Sequence, residues 1–145
     1  MNQAFPPIRE LLPHRGTAIL IDEVLSESAD SVCVAANIRR NHPYFMEGRG
    51  VPGWVAIELM AQAIAAHAGL VNRRANTGPR IGMLLGVRSF RTETRYFHEG
   101  QRLEITANRN FGDGGDIAAC TCTIQCRGEI IAHGSLIIMQ TEKQA

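Results

Sequence analysis

One acidic side chain lies in the most apolar stretch of this sequence, and it is the first candidate for chemistry. Glu58 is the only charged residue between Arg49 and Arg73, and its neighbours are almost all hydrophobic. A helix that is apolar on every face is a buried helix, and acidic side chains are rarely buried without a partner. Burial raises the pKa of a carboxyl, which prepares it for acid/base chemistry. The alternative is a carboxylate at the helix end that reaches solvent or is satisfied by Gln62, one turn later.

The elements that must position Glu58 are one long helix and a set of strands. Pro52-Gly53 is expected to open the helix, which closes near residues 69–74, and a loop over 41–51 leads into it. A short helix over 7–12 is expected to end at Pro13. Alternating polar and apolar residues or apolar runs predict about six strands, at 17–24, 32–39, 81–94, 102–108, 117–126 and 129–141.

This order of elements predicts an α+β domain with a mostly antiparallel sheet. Gly86 and Gly82 mark possible bulges in the strand over 81–94, and residues 112–115 and 127–128 are turn signals. Because the helix is apolar all round, the sheet must curl around it, or a second subunit must cover what the sheet leaves exposed.

Composition restricts the class of protein. The chain has 145 residues, of which 20% are charged and 45% hydrophobic, so we expect a single globular domain over 1–145. The net charge of +1 does not favour a nucleic acid or an anionic membrane as partner. The first seven residues lack the features of a signal peptide, and Glu58, Gln62 and His67 argue against a membrane span. We therefore expect a cytoplasmic protein.

The four cysteines predict neither a metal site nor a disulfide framework. Cys33, Cys120, Cys122 and Cys126 contain no C-x-x-C pair. The last three share one face of a predicted strand with Ile124, which is typical of core residues. We expect no metal or organic cofactor.

The chain resembles a known fold and family. Its element order is similar to the hotdog fold, in which an antiparallel sheet wraps one long helix. Residues 12–15 and 19–24 are similar to the opening segment of the 3-hydroxyacyl-acyl-carrier-protein dehydratases. Pro52-Gly53, Glu58 and residues 60–62 match the helix motif of that family in type and spacing.

A subgroup of the family resembles the chain more closely. Residues 42–45, Trp54-Val55 and 61–66 are similar to the dehydratase-like proteins of aryl-polyene biosynthesis clusters. Because one fold hosts many activities, the fold alone does not settle the function.

The resemblance implies a dehydration in which Glu58 protonates the departing hydroxyl of a carrier-bound 3-hydroxyacyl thioester. Backbone N–H groups around Gly53 would polarise the thioester carbonyl, and Gln62 would accompany Glu58. The acyl carrier protein is the implied partner. Arg88, Arg91 and Arg95 could dock it, although scattered arginines are usually only solvated.

The base of this reaction is where the chain departs from the family. The position of the family's loop histidine falls on Tyr44, a poor base that can donate a hydrogen bond, and the nearest histidine is His42. Either a rearranged loop brings His42 into the same space, or the site has lost its base. His14, beside Pro13, is expected to hydrogen-bond locally, and His67 lies more than two helical turns from Glu58.

Three functions are consistent with these residues. The first is a dehydratase, and the second is a silent hotdog subunit that binds the acyl chain and pairs with an active dehydratase. The third is an acyl thioesterase, in which a carboxylate activates water. A homodimer or a heterodimer with another hotdog subunit is expected in each case.

Overall fold

The computed structural model describes residues 4–76, 82–110 and 117–140, in which a six-stranded sheet packs around one long helix and a two-stranded sheet lies apart from it. The helices are α1 (Ile8–Leu11) and α2 (Ala56–Arg74), with 3-10 turns at Gly16–Ala18 and Gly53–Val55. The strands are β1 (Glu23–Glu27), β2 (Ser31–Asn37), β3 (Val51–Pro52), β4 (Gly82–Thr92), β5 (Tyr96–Phe97), β6 (Arg102–Asn110), β7 (Ile117–Cys126) and β8 (Glu129–Gln140).

Six of these strands form one antiparallel sheet in the order β1-β2-β6-β7-β8-β4. Strands β3 and β5 form a separate two-stranded sheet beside the start of α2. The predicted α+β architecture, with a six-stranded antiparallel sheet around a central helix, is confirmed. The large sheet has two edges, β1 and β4.

The core lies between the concave sheet and α2. Leu103, Ile105 and Ala107 alternate along β6 with polar neighbours and face the core, as their spacing predicts. Leu59 and Met60 of α2 are fully buried against the sheet. Cys120 and Cys122 are also buried, as expected, whereas Cys126 is only half-buried.

Helix α1 packs directly on the backbone of α2 at Gly69. A Cβ atom at Gly69 would lie 2.3 Å from the carbonyl oxygen of Leu11, so only glycine allows this approach. The contact anchors the N-terminal segment on the helix that carries Glu58.

The predicted strand over 17–24 is wrong in its first part. A 3-10 turn occupies Gly16–Ala18, and β1 begins only at Glu23. The reason is a tertiary contact, since the N–H of Leu20 donates to the side chain of Gln62 instead of to a neighbouring strand. The small β3–β5 sheet was not predicted.

The predictions of a bulge at Gly86 and of a turn at Arg127–Gly128 are confirmed. The register of β4 against β8 shifts between Leu84 and Gly86, which confirms a bulge at that glycine. The turn at Arg127–Gly128 has positive φ at both residues. The predicted turn at 112–115 lies outside the described residues.

The helical segment Gly53–Arg74 is long and apolar enough to cross a membrane by those two criteria. In the fold, however, 61% of its most apolar window is buried, and the sheet wraps around it. Its hydrophobic composition is therefore explained by its place in the core.

Candidate active site

Glu58 lies in the first turn of α2, and 42% of its side chain is exposed. The expectation of a buried carboxyl is therefore wrong, and the alternative of a helix-end carboxylate is what the structure shows. Trp54, just before the helix, is also exposed, whereas Val55, Ala56 and Leu59 are fully buried. A carboxylate at this helix end is favoured by the positive end of the helix dipole.

Gln62 connects Glu58 to the segment before β1. Its side chain is fully buried, and Nε2 donates to Oε1 of Glu58 at 3.1 Å and to the carbonyl oxygen of Ala18 at 2.7 Å. Its Oε1 accepts the N–H of Leu20 at 2.8 Å. Both donor hydrogens of the amide are therefore used within the chain.

The histidine beside Glu58 is His14, which was expected only to hydrogen-bond locally. Its Nε2 lies 3.5 Å from Oε1 of Glu58. Sequence separation hides this contact, because the segment of His14 is brought to α2 by the packing of Leu11 on Gly69 and by the Gln62 bonds. The sequence feature that could have indicated this contact is the Pro13-His14-Arg15 motif.

His42 lies in the loop before α2 and does not pair with Glu58. Its Nδ1 accepts the N–H of Tyr44 at 3.1 Å, and its Nε2 is buried without a hydrogen-bond partner in the described part of the chain. Burial lowers the pKa of His42, an effect that the nearby Asp22 carboxylate partly opposes. In the neutral ring the proton then lies on Nε2, so His42 offers a donor at that nitrogen and not a base.

The rings of Tyr44 and Trp54 are in contact and join the loop before α2 to the start of that helix. Their rings meet edge to face with centroids 5.4 Å apart, and both are exposed. The ring of His42 lies 6.0 Å from that of Tyr44. The structure therefore places His42 and Tyr44 in one group and Glu58, Gln62 and His14 in another, both at the same end of α2.

The N–H of Gly53 does not serve the expected role of polarising a carbonyl, because it donates to the carbonyl oxygen of Arg95 at 2.7 Å. A Cβ at this position would lie 2.6 Å from the carbonyl oxygen of Thr94, so the glycine allows close packing. The N–H groups of Trp54 and Val55 come next in the chain. At the start of a helical segment such groups lack intrahelical partners.

A small cavity of about 50 Å³ lies along the other half of α2, between Ile64, His67 and Cys120 among others. Its size suits a few water molecules rather than an acyl chain. Glu58 does not line it, so the cavity is separate from the candidate site. In the described ranges, no three His, Cys, Asp or Glu side chains come together as a metal site would require.

Comparisons with known proteins identify the family and the fold of this chain. A model of the ApeP-like family, described as ApeP dehydratase, matches residues 6–145. The 3-hydroxyacyl-acyl-carrier-protein dehydratase FabZ of Chlamydia caviae is 30% identical over 145 aligned residues, which cover 93% of this chain and 90% of the relative.

Solved structures show the same fold. A chain of the dehydratase heterocomplex ApeI:P from Xenorhabdus doucetiae is 29% identical, with a TM-score of 0.89 and coverage of 96% of this chain and 93% of that chain. A hypothetical thioesterase from Streptococcus pneumoniae aligns with a TM-score of 0.65 at 11% identity, over 85% of this chain and 88% of its own. At that identity the likeness shows the hotdog fold alone.

Proposed function

The chain belongs to the ApeP-like family of hotdog dehydratases, and from this premise we propose that it supplies the acid, Glu58, to a two-subunit 3-hydroxyacyl-acyl-carrier-protein dehydratase. One observation carries the proposal. Glu58 is half-exposed at the helix start and is held through Oε1 by Gln62, so that Oε2 can face a substrate. A buried carboxylate with both oxygens bonded could not do so.

The reaction removes water from C2 and C3 of the acyl chain. A base takes the proton from C2, and the electron pair left behind forms the C2–C3 double bond. Glu58 enters this step as the neutral acid; the hydroxyl leaves C3 with the proton of Oε2, so that water is released, the Glu58 carboxylate remains and the thioester stays intact. N–H groups of Trp54 and Val55, at the positive end of the helix, stabilise the developing charge on the thioester oxygen. The reaction requires no metal or organic cofactor.

We assign the base to the partner subunit. The position of the family's base carries Tyr44, and the free nitrogen of His42 is a donor in the tautomer that the Tyr44 N–H selects. His42 is accordingly not proposed as the base, and Tyr44 is proposed to line the path of the substrate with Trp54.

The edge of the sheet supports a partner of the same fold. Strand β4 is eleven residues long, and its side chains include the exposed Leu84, Leu85 and Val87. A long apolar edge strand is normally covered by pairing with another strand. Since the ApeI:P structure is described as a heterocomplex, we propose a heterodimer with a second hotdog subunit through β4.

The acyl carrier protein is the proposed donor of substrate, in the cytoplasm. Arg88 and Arg95 are exposed, and no carboxylate of the described residues lies within ion-pair distance of them, whereas Arg91 pairs with Glu93 at 3.1 Å. Arg88 and Arg95 are therefore the better candidates for contact with an acidic carrier.

The test is turnover of a 3-hydroxyacyl chain on acyl carrier protein, followed by mass spectrometry of the 2-enoyl product. The chain alone, the chain with an ApeI-type partner, and the partner alone are compared. We expect full turnover only from the pair, and Glu58→Gln should reduce it at least about a hundredfold. Glu129→Gln, at an exposed carboxylate on β8, is the matched control.

Other outcomes would assign the function differently. Full turnover by the chain alone would refute the two-subunit site. Loss of turnover in His42→Ala would return the base to His42, and release of free thiol without dehydration would indicate a thioesterase.

A silent subunit is the second candidate, because Tyr44 occupies the base position. It predicts that Glu58→Gln leaves turnover of the pair unchanged.

The interface is tested separately by Leu85→Lys, which should dissociate the pair in analytical ultracentrifugation. Ile130→Lys, at an equally exposed position on β8, should leave it intact.

A further inference from the structure

His14 stands in contact with the proposed acid and has no role in the mechanism above. Its Nε2 is 3.5 Å from Oε1 of Glu58, which is ion-pair distance and a few tenths of an ångström longer than an N–H···O hydrogen bond. Catalytic hydrogen bonds are often long before substrate binds and shorten in the reacting complex. The side chain is 28% exposed, so the contact lies at the rim of the protein rather than in its core.

The backbone on both sides of His14 is held in place. Leu12 is fully buried, and Arg15 folds back so that its Nη1 donates to the carbonyl oxygens of Leu12 at 3.0 Å and His14 at 2.8 Å. Further along, Ala18 and Leu20 are bonded to Gln62. The segment is thus tied to α2 close to Glu58, and the imidazole is presented to the carboxyl from a fixed backbone.

The surroundings of the ring select one tautomer. Nδ1 of His14 is buried and has no hydrogen-bond partner among residues 4–76, 82–110 and 117–140. A buried donor without a partner is costly, so the neutral ring is best satisfied with its proton on Nε2, which faces Glu58. His14 and Gln62 then both present donors to the same atom, Oε1 of Glu58.

Two donors on one oxygen decide where a protonated carboxyl keeps its proton. The oxygen that accepts them is the carbonyl-like one, so the hydroxyl proton lies on the other oxygen, Oε2. We propose that His14 is a positioning residue that, together with Gln62, holds Oε1 of Glu58 so that Oε2 carries the proton delivered to the substrate. This inference rests on the proposed role of Glu58 as the acid.

The activity test uses the reconstituted pair. Loss of one positioning contact should lower kcat about tenfold, with KM little changed, because orientation and not binding is lost. His14→Ala should show this loss, and His14→Gln, whose amide can place an N–H near the position of Nε2, should restore most of it. His98→Ala, at an exposed histidine in the turn before β6, is the matched control. An unchanged kcat in His14→Ala, or equal loss in His14→Ala and His14→Gln, would overturn the proposal.

A second measurement does not depend on turnover and keeps the two proposals apart. In ¹⁵N NMR of the imidazole rings, Glu58→Gln should shift the Nε2 resonance of His14 and leave that of His98 unchanged. No shift at His14 overturns the inference even if the pair is active. If wild type shows no turnover with any partner, the proposed function fails, and the NMR result still decides whether His14 is coupled to Glu58.

Discussion

Replacing Gln62 tests whether one buried amide holds the site together. Gln62 is fully buried, and its side chain binds Leu20, Ala18 and Glu58. Gln62→Leu keeps the volume but removes every hydrogen bond, which leaves the buried N–H of Leu20 without its acceptor. An unpaired buried donor costs about 1–3 kcal/mol. Gln62→Ala adds a cavity, which raises the expected loss to about 2–4 kcal/mol.

The loss is a large share of the about 5–15 kcal/mol that stabilise a typical domain. Urea denaturation followed by circular dichroism measures it as a lower midpoint at unchanged slope. Protein concentration is kept fixed because an oligomer gains stability by mass action. Gln125→Leu is the control, since Gln125 is half-buried and makes no side-chain hydrogen bond to the described residues. Its change should stay within about 0.5 kcal/mol.

Comparing Gln62→Leu with Gln62→Ala separates the contribution of the hydrogen bonds to stability from the contribution of filling space. If Gln62→Leu unfolds at the midpoint of wild type, the bonds to Leu20 and Ala18 contribute no net stability, and the reasoning is refuted. If only Gln62→Ala is destabilised, the side chain acts by filling space.

Three further predictions concern other parts of the chain. Gly69→Ala should destabilise the fold in urea, because the Cβ of alanine would collide with the carbonyl oxygen of Leu11. This is expected although alanine is the better helix former by about 1 kcal/mol. A gain in stability would contradict the packing of Leu11 on Gly69. Burial raises the pKa of the Cys122 thiol to about 12. Mass spectrometry should therefore show that Cys122 resists iodoacetamide at pH 8 in the native protein and reacts in urea. Rapid alkylation of the native protein at Cys122 would refute this. Burial lowers the pKa of His42 in the folded protein, so as the pH falls the imidazole is protonated in the unfolded chain before it is protonated in the folded one. Stability is therefore lost as the pH falls below the ordinary value of about 6.5. The stability difference between wild type and His42→Gln should therefore shrink between pH 7.5 and 5.5, and a constant difference would count against it.

Most of the fold could be predicted because its signals are local. The length and apolar faces of α2, the alternation along β6 and the glycine of the turn at Gly128 each depend on residues close in sequence. The failures occurred where a distant group replaced a local one. Residues 17–22 have the composition of a strand, but the Gln62 side chain takes the hydrogen bond of Leu20.

The site divides in the same way. By itself the sequence determined that Glu58 and Gln62 lie one helical turn apart, and the family resemblance predicted that Tyr44 occupies the position of the base, because spacing along a helix and similarity to a motif depend on residues close in sequence. Only the tertiary structure decided that Glu58 is half-exposed, that the Gly53 N–H is taken by Arg95, and that His14 and not His42 lies beside the carboxyl. Such contacts join segments far apart in the chain, and they form only because the packing of α1 and the Gln62 bonds bring the N-terminal segment onto α2.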